Sequence, residues 1–289
     1  MSATFYLGVD GGGTRCRARV ESEDGRVLGE GLAGPASMRF GFEAARASVM
    51  AATRQAFERA SLGEDAFART YAGIGLAGTG QLGARAALEA WRHPFAGAWF
   101  EGDGYLALLG AFGGDEGGVV IAGTGSIGLT FHGKTIRVGG YGFPVSDEGS
   151  GADIGLNALR YVLRSLDGRA APSAFSQAVL ARFADDAAQV TAWMETATPT
   201  DFATLAPLVV QHATTDPAAR ALMQDAAARI AELIDALVQH GAPRIALLGG
   251  LADAIKPHLT PETAAHLVAP QADALSGGIL LAKERRALV

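Results

Sequence analysis

The sequence predicts an α/β protein built from two duplicated domains, and three observations carry that prediction. An apolar strand ends in a carboxylate and a glycine turn at Leu7-Gly-Val-Asp10-Gly-Gly-Gly-Thr14. A second strand and glycine turn follow further along, at Val119-Val-Ile-Ala-Gly-Thr-Gly-Ser126. After each turn the chain repeats one succession of strand, tight turn, strand and helix, so a β-β-β-α opening occurs twice.

In the first half, alternation in Cys16-Arg-Ala-Arg-Val20 and Arg26-Val-Leu-Gly-Glu30 predicts two strands around a tight turn at Asp24-Gly25. A helix follows over residues 42–60, with Val49, Ala52, Ala56 and Phe57 spaced for one buried face. An apolar strand near 98–100 then leads into a helical run after Asp103. In the second half the strand over 119–122 is followed by strands over 127–131 and 135–138, joined by His132-Gly-Lys134. The helix over 153–165 offers Ile154, Leu156, Leu159 and Val162 for burial. The junction is expected near Gly110–Gly118, a glycine-rich polar stretch suited to a hinge. The expected first domain is 1–112 joined by a terminal helix over 275–289, and the second is 113–274.

The segment Ala170–Gln211 is rich in alanine and short helical signals and says little about chemistry. Beyond it, Asp216 is placed to cap a long helix, Pro217 suits its first turn, and Gly241 stops it. A buried strand, Arg244-Ile-Ala-Leu-Leu248, then ends in Gly249-Gly250, and a final helix is expected from Ala274.

A chain of 289 residues with 49% hydrophobic and 19% charged residues has ample material for a packed core. The net charge of −6 argues against a nucleic-acid or anionic-membrane surface. No apolar run reaches the roughly 18 residues of a spanning helix, and no basic segment precedes an apolar one at the start, so a cytoplasmic protein is expected. The single cysteine, Cys16, allows no intrachain disulfide and no self-contained iron–sulfur ligand set.

The glycine turns point to phosphate chemistry. A glycine turn lets an anion approach the backbone, where N–H groups form a nest. The Thr14 hydroxyl can add a contact, and Asp10 can hold Mg²⁺ directly or through water. Two turns of this kind in duplicated domains suggest a nucleoside triphosphate held in a cleft between them. Asp103, between strand and helix, reads either as a helix N-cap or as a general base. Asp147, in the polar loop Ser146-Asp-Glu-Gly-Ser150, suits sugar hydroxyls or Mg²⁺. The Walker-like string Gly128-Leu-Thr-Phe-His-Gly-Lys-Thr135 is read as a hairpin, because a P-loop needs a helix after its loop. The G-x-G-x-x-G strings starting at Gly73 and Gly123 are also set aside, the second because a strand follows it.

With these residues in view, the sequence resembles the N-acetylglucosamine kinase and glucosamine kinase family, whose superfamily includes the ATPase activators of benzoyl-CoA reductase and 2-hydroxyacyl-CoA dehydratases. Asp10-Gly-Gly-Gly-Thr14 is similar to its first phosphate motif and Gly123-Thr-Gly-Ser126 to its second. Gly139-Gly-Tyr-Gly-Phe-Pro-Val-Ser-Asp-Glu-Gly-Ser150 is similar to its Asp-Glu-Gly-Ser signature, and Leu247-Leu-Gly249-Gly250-Leu251 to its adenosine motif. The resemblance implies two ribonuclease-H-like domains of the actin-like ATPase fold, with a nucleotide cleft between them. It implies Mg²⁺-dependent transfer from ATP to the 6-hydroxyl of an amino sugar, with Asp103 as catalytic base. Asp10, Gly11, Gly12, Gly13, Thr14, Thr124, Gly125, Gly249 and Gly250 would hold the nucleotide, and Asp10 the metal. Ser37, Asp103, Ser126, Tyr141 and Asp147 would lie near the sugar, and a homodimer is common in the family. Ser37 stands where the family often has Asn, and Tyr141 where it commonly has Trp, which leaves sugar identity open. The rival readings are a reductase-activating ATPase, which needs cluster-binding cysteines, and a nucleotide-dependent sugar sensor, which has little use for Asp103.

Overall fold

The computed structural model describes residues 3–288. The chain forms two compact units, one comprising the described residues up to Gly117 together with those from Ala269, the other Gly118–Val268. Among the described residues, no helix is long and apolar enough to cross a membrane.

The first unit is a five-stranded sheet ordered β3-β2-β1-β4-β5, with β1 at Phe5–Gly11, β2 at Cys16–Ser22, β3 at Val27–Ala33, β4 at Thr70–Leu76 and β5 at Gly97–Gly102. β2 runs antiparallel to β1 and β3, whereas β4 runs parallel to β1 and β5. The parallel strands β1, β4 and β5 therefore end at one edge, which places Gly11, Leu76 and Gly102 side by side. One face packs on the helix Phe42–Arg59 through Val49, Ala52, Ala56 and Phe57, the residues expected from its periodicity.

The other face carries the terminal helix Ala274–Arg286, and here the sheet and helix backbones nearly touch. A Cβ added at Gly8 would sit 2.1 Å from the Leu275 carbonyl oxygen, and one at Gly73 2.0 Å from that of Gly278. A Cβ on Gly277 would meet the Leu106 carbonyl oxygen at 1.9 Å. These glycines are there for close approach, since any side chain would push the layers apart. Asp273 caps the helix by accepting from Ser276 N–H, and Arg19 ties that cap to β2.

The second unit has a four-stranded sheet ordered β8-β7-β6-β9, with β6 at Gly117–Ala122, β7 at Ser126–His132, β8 at Lys134–Gly139 and β9 at Ile245–Leu248. This is the order of the first four strands of the other unit, the duplication expected from the sequence. The pair β7–β8 is an antiparallel hairpin, closed with His132 opposite Lys134 and Gly133 at φ 68°. The Walker-like string is thus a β-hairpin with no helix after it. The helices Gly151–Leu166 and Pro217–Gln239 bury Ile154, Leu159, Ile230 and Ile234 in one core. Asp216 caps the longer helix through Ala218 and Ala219 N–H, and Gly241 follows it at φ 90°. The alanine-rich stretch resolves into four short helices, Ala174–Ala181, Ala187–Met194, Pro199–Ala203 and Ala206–His212.

Candidate active site

The parallel edge of the first unit gathers Asp10, the Gly11–Thr14 turn, the Ser37 loop and Asp103. The turn is closed by Gly12 N–H donating to the Arg15 carbonyl at 3.0 Å, leaving Gly13 and Thr14 exposed. The Ser37 loop is fastened to the same edge: Ala36 N–H donates to the Gly12 carbonyl, and Met38 N–H to that of Ala77. Ser37 is buried; its hydroxyl accepts from Arg39 N–H and points to the Ala77 carbonyl at 3.4 Å. Asp10 lies opposite Arg17 in the β1–β2 register, and its Oδ2 accepts from the Arg17 guanidinium at 2.7 and 3.2 Å. Sequence reasoning missed Arg17, although a two-strand register counted outward from the glycine turn reaches it.

Asp103 stands at the first helical position after β5. The N-cap is Gly102, which has no side chain to cap with, and Asp103 Oδ1 instead accepts from Gly104 N–H at 2.9 Å. The N-cap reading of Asp103 therefore gives way. Burial raises its carboxyl pKa from 3.8 to about 6, the Asp10 charge pushes in the same direction, and the Gly104 hydrogen bond pulls back. A carboxyl poised there is charged at neutral pH yet basic enough to take a proton from a hydroxyl as a bond forms.

The corresponding edge of the second unit is built almost entirely of backbone. The helix starting at Gly151 is capped by Ser150, whose Oγ accepts from Asp153 N–H. Gly151 and Ala152 N–H donate to the carbonyls of Gly123 and Thr124, fixing the second glycine turn on the helix start. Ser126 is buried and donates its hydroxyl to the Glu148 carbonyl at 2.7 Å. Asp147 is buried at φ 69°, a conformation that costs a non-glycine residue energy, and its Oδ1 accepts from Gly142 N–H. Its other oxygen would lie 2.6 Å from a Cβ on Gly125, so that glycine makes room for the carboxylate. Gly249, at φ 96°, lies against the Ala122 carbonyl, and Leu251 N–H donates to the same oxygen, bringing the Gly249-Gly250 turn to the end of β6. Tyr141 is 76% exposed, with the Arg137 guanidinium stacked 4.4 Å from its ring centre, a partner the sequence did not suggest.

None of Gly11, Gly12, Gly13, Gly123 or Gly125 adopts a positive φ, so conformational freedom does not explain them. Gly11 is sterically required, with a Cβ 2.6 Å from Leu76 Cδ2. Gly13, Gly34, Gly123 and Gly250 differ: their φ values are ordinary and a Cβ would meet nothing within 4 Å. Nothing among the described residues asks for glycine at these four positions. All four sit on the loops gathered at the two edges, where bare backbone leaves room for a ligand.

A family model described as the BadF/BadG/BcrA/BcrD ATPase family matches residues 7–282. The chain belongs to that family. Glucosamine kinase GspK of Vibrio cholerae is 40% identical over 280 residues, covering 96% of this chain and 95% of that protein. A solved structure from Chromobacterium violaceum, described as a candidate N-acetylglucosamine kinase, superposes with a TM-score of 0.91 at 36% identity, over 96% of this chain and 98% of the other. A glucokinase of the ROK family from Streptomyces griseus shares the fold, with a TM-score of 0.60 at 18% identity over 99% of this chain and 100% of the other. The fold is that of the actin-like ATPases, and membership of an ATPase family makes ATP the expected nucleotide.

Proposed function

We propose that this chain transfers the γ-phosphoryl group of ATP to the 6-hydroxyl of an amino sugar, working in the cytoplasm as a homodimer. Similarity to a glucosamine kinase along nearly the whole chain supports the substrate class and makes glucosamine the first acceptor to test, with N-acetylglucosamine the second. The observation that carries the chemistry is Asp103, a half-buried carboxyl with its pKa at about 6 beside a second carboxylate.

In this reading Asp103 accepts the proton of the attacking hydroxyl, and the Gly11–Thr14 and Thr124–Gly125 turns hold the phosphates through backbone N–H groups. Gly249 and Gly250 contact the adenosine. Ser37 and Ser126, with hydroxyls engaged on the backbone, shape the sugar pocket, while Tyr141 and Asp147 meet the sugar itself. Most of the rate enhancement comes from positioning and electrostatics, with the base a smaller part. Among the described residues no cluster of three His, Cys, Asp or Glu is arranged to hold a metal. A lone carboxylate donor such as Asp10 suits Mg²⁺, which keeps most of its water and binds through one or two carboxylates together with substrate phosphates. Asp10 is the carboxylate that would hold it, and the ion would offset phosphate charge. Arg17 orients Asp10 for that task through the two guanidinium hydrogen bonds.

The activator reading requires thiolates, and Cys16 is buried on β2 with its thiol pushed up to about 12, chiefly by burial. An ADP-release assay over glucosamine, N-acetylglucosamine, N-acetylmannosamine and glucose tests the proposal. Sugar-dependent turnover confined to the 2-amino sugars is expected; turnover that ignores the sugar would sink it.

A further inference from the structure

The two edges of the five-stranded sheet are treated differently. At β3 the outward backbone is plugged from within: Leu32 N–H donates to Gln55 Oε1, and the Glu30 carbonyl accepts from Arg59. At β5, Ala96 N–H donates inward to Thr70, so by alternation Gly97, Trp99 and Glu101 turn their backbone groups outward. Among the described residues, no strand or side chain takes the outward groups of Gly97 and Trp99. A groove of about 310 Å³ runs along this edge, lined by Arg85, Glu89, Trp91, Phe100, Glu101 and Arg285 among others. An open strand edge with half-buried aromatic residues is a template for another strand unless something covers it.

We infer that β5 is the homodimer interface, pairing antiparallel with β5 of a second copy to make one continuous sheet. A two-fold axis demands a self-complementary surface, and this one is: two arginines and two glutamates balance locally on a chain of net charge −6. The axis stands normal to the sheet at Trp99, so each face meets its like. Trp99 stacks on Tyr71 on the face that carries the terminal helix. Glu101 shares that face by alternation, which sets Arg285, on the terminal helix, against Glu101 of the second copy. On the opposite face Arg85 meets Glu89 of the second copy. Arg285 has no ion-pair partner among the described residues, and Arg85 lies 3.9 Å from Glu101 and 3.1 Å from Glu89 of its own chain.

This inference gives a surface to the homodimer in the proposed function, and two readouts on the full chain separate the two claims. Sedimentation equilibrium is expected to give a dimer of the 29.6 kDa chain, with Arg285→Glu raising the dissociation constant roughly tenfold or more. Arg285→Glu combined with Glu101→Arg should restore it. Hydrogen exchange of the wild type is expected to show the Trp99 and Glu101 amides protected at high concentration and exposed on dilution. A dimer whose Trp99 and Glu101 amides stay unprotected would overturn this interface while leaving the dimer standing. A monomer at every concentration would overturn both.

Discussion

The two edges that carry the glycine turns share one strand order and have opposite characters. The first unit's edge carries ionisable side chains: Asp10 in a 2.7 Å contact with Arg17, and Asp103 with its pKa raised to about 6. At the second unit's edge, Ser126 and Ser150 have their hydroxyls on backbone partners, and Asp147 accepts from Gly142. Duplication supplied two equivalent glycine turns, and the side chains around them diverged. In this account the first unit does the proton chemistry and the second supplies a cradle of backbone groups.

The sharpest break of that contrast is Asp103→Asn, which keeps the shape and removes the base. Steady-state kinetics should show kcat lower by roughly 10²–10⁴-fold with the ATP KM little changed. The same variant should be more stable. The folded carboxyl holds its proton above the usual 3.8, so the folded state binds more protons between about pH 4 and 6, and stability falls as pH rises through that window. Chemical denaturation should find Asp103→Asn about 1–2 kcal/mol more stable at pH 7, after discounting for partial exposure, and the gain should vanish near pH 4.

On the cradle side, glycines of two kinds should behave differently. Gly125→Ala drives a methyl toward the Asp147 carboxylate, and thermal melting should register a loss of about 1–3 kcal/mol. Gly13→Ala and Gly123→Ala place a methyl in open space at an ordinary φ, so the fold should keep its stability or gain up to about 1 kcal/mol. Their ATP KM should nonetheless rise severalfold. Unchanged KM in both would mean that the open space is not for the nucleotide.

The smallest effect belongs to Lys134→Ala, at the hairpin between β7 and β8. Its ATP KM should stay within about twofold of wild type, whereas loss of a P-loop lysine would remove a phosphate contact.

The repeated strands and the long capped helix were legible because their signals are local. Alternation marked β2 and β3, and Asp216, Pro217 and Gly241 marked the ends of one helix. The positions of Asp10 and Asp103 at strand ends were legible for the same reason, while the Arg17 contact and the raised Asp103 pKa depend on neighbours brought in by folding. The glycine seam was not legible either, since Gly8 and Gly73 answer to a helix more than two hundred residues away in sequence. Composition could not distinguish Gly11, packed against Leu76, from Gly13, packed against nothing, although they are two residues apart.

The claim that the first unit's edge holds a tuned base is tested most directly by titrating its carboxyl. Carbon-13 NMR of aspartate-labelled protein should show one carboxyl with a midpoint near pH 6, missing in Asp103→Asn and shifted to lower pH in Asp10→Asn, where the neighbouring charge is gone. A midpoint near 4 that ignores Asp10→Asn would contradict the account.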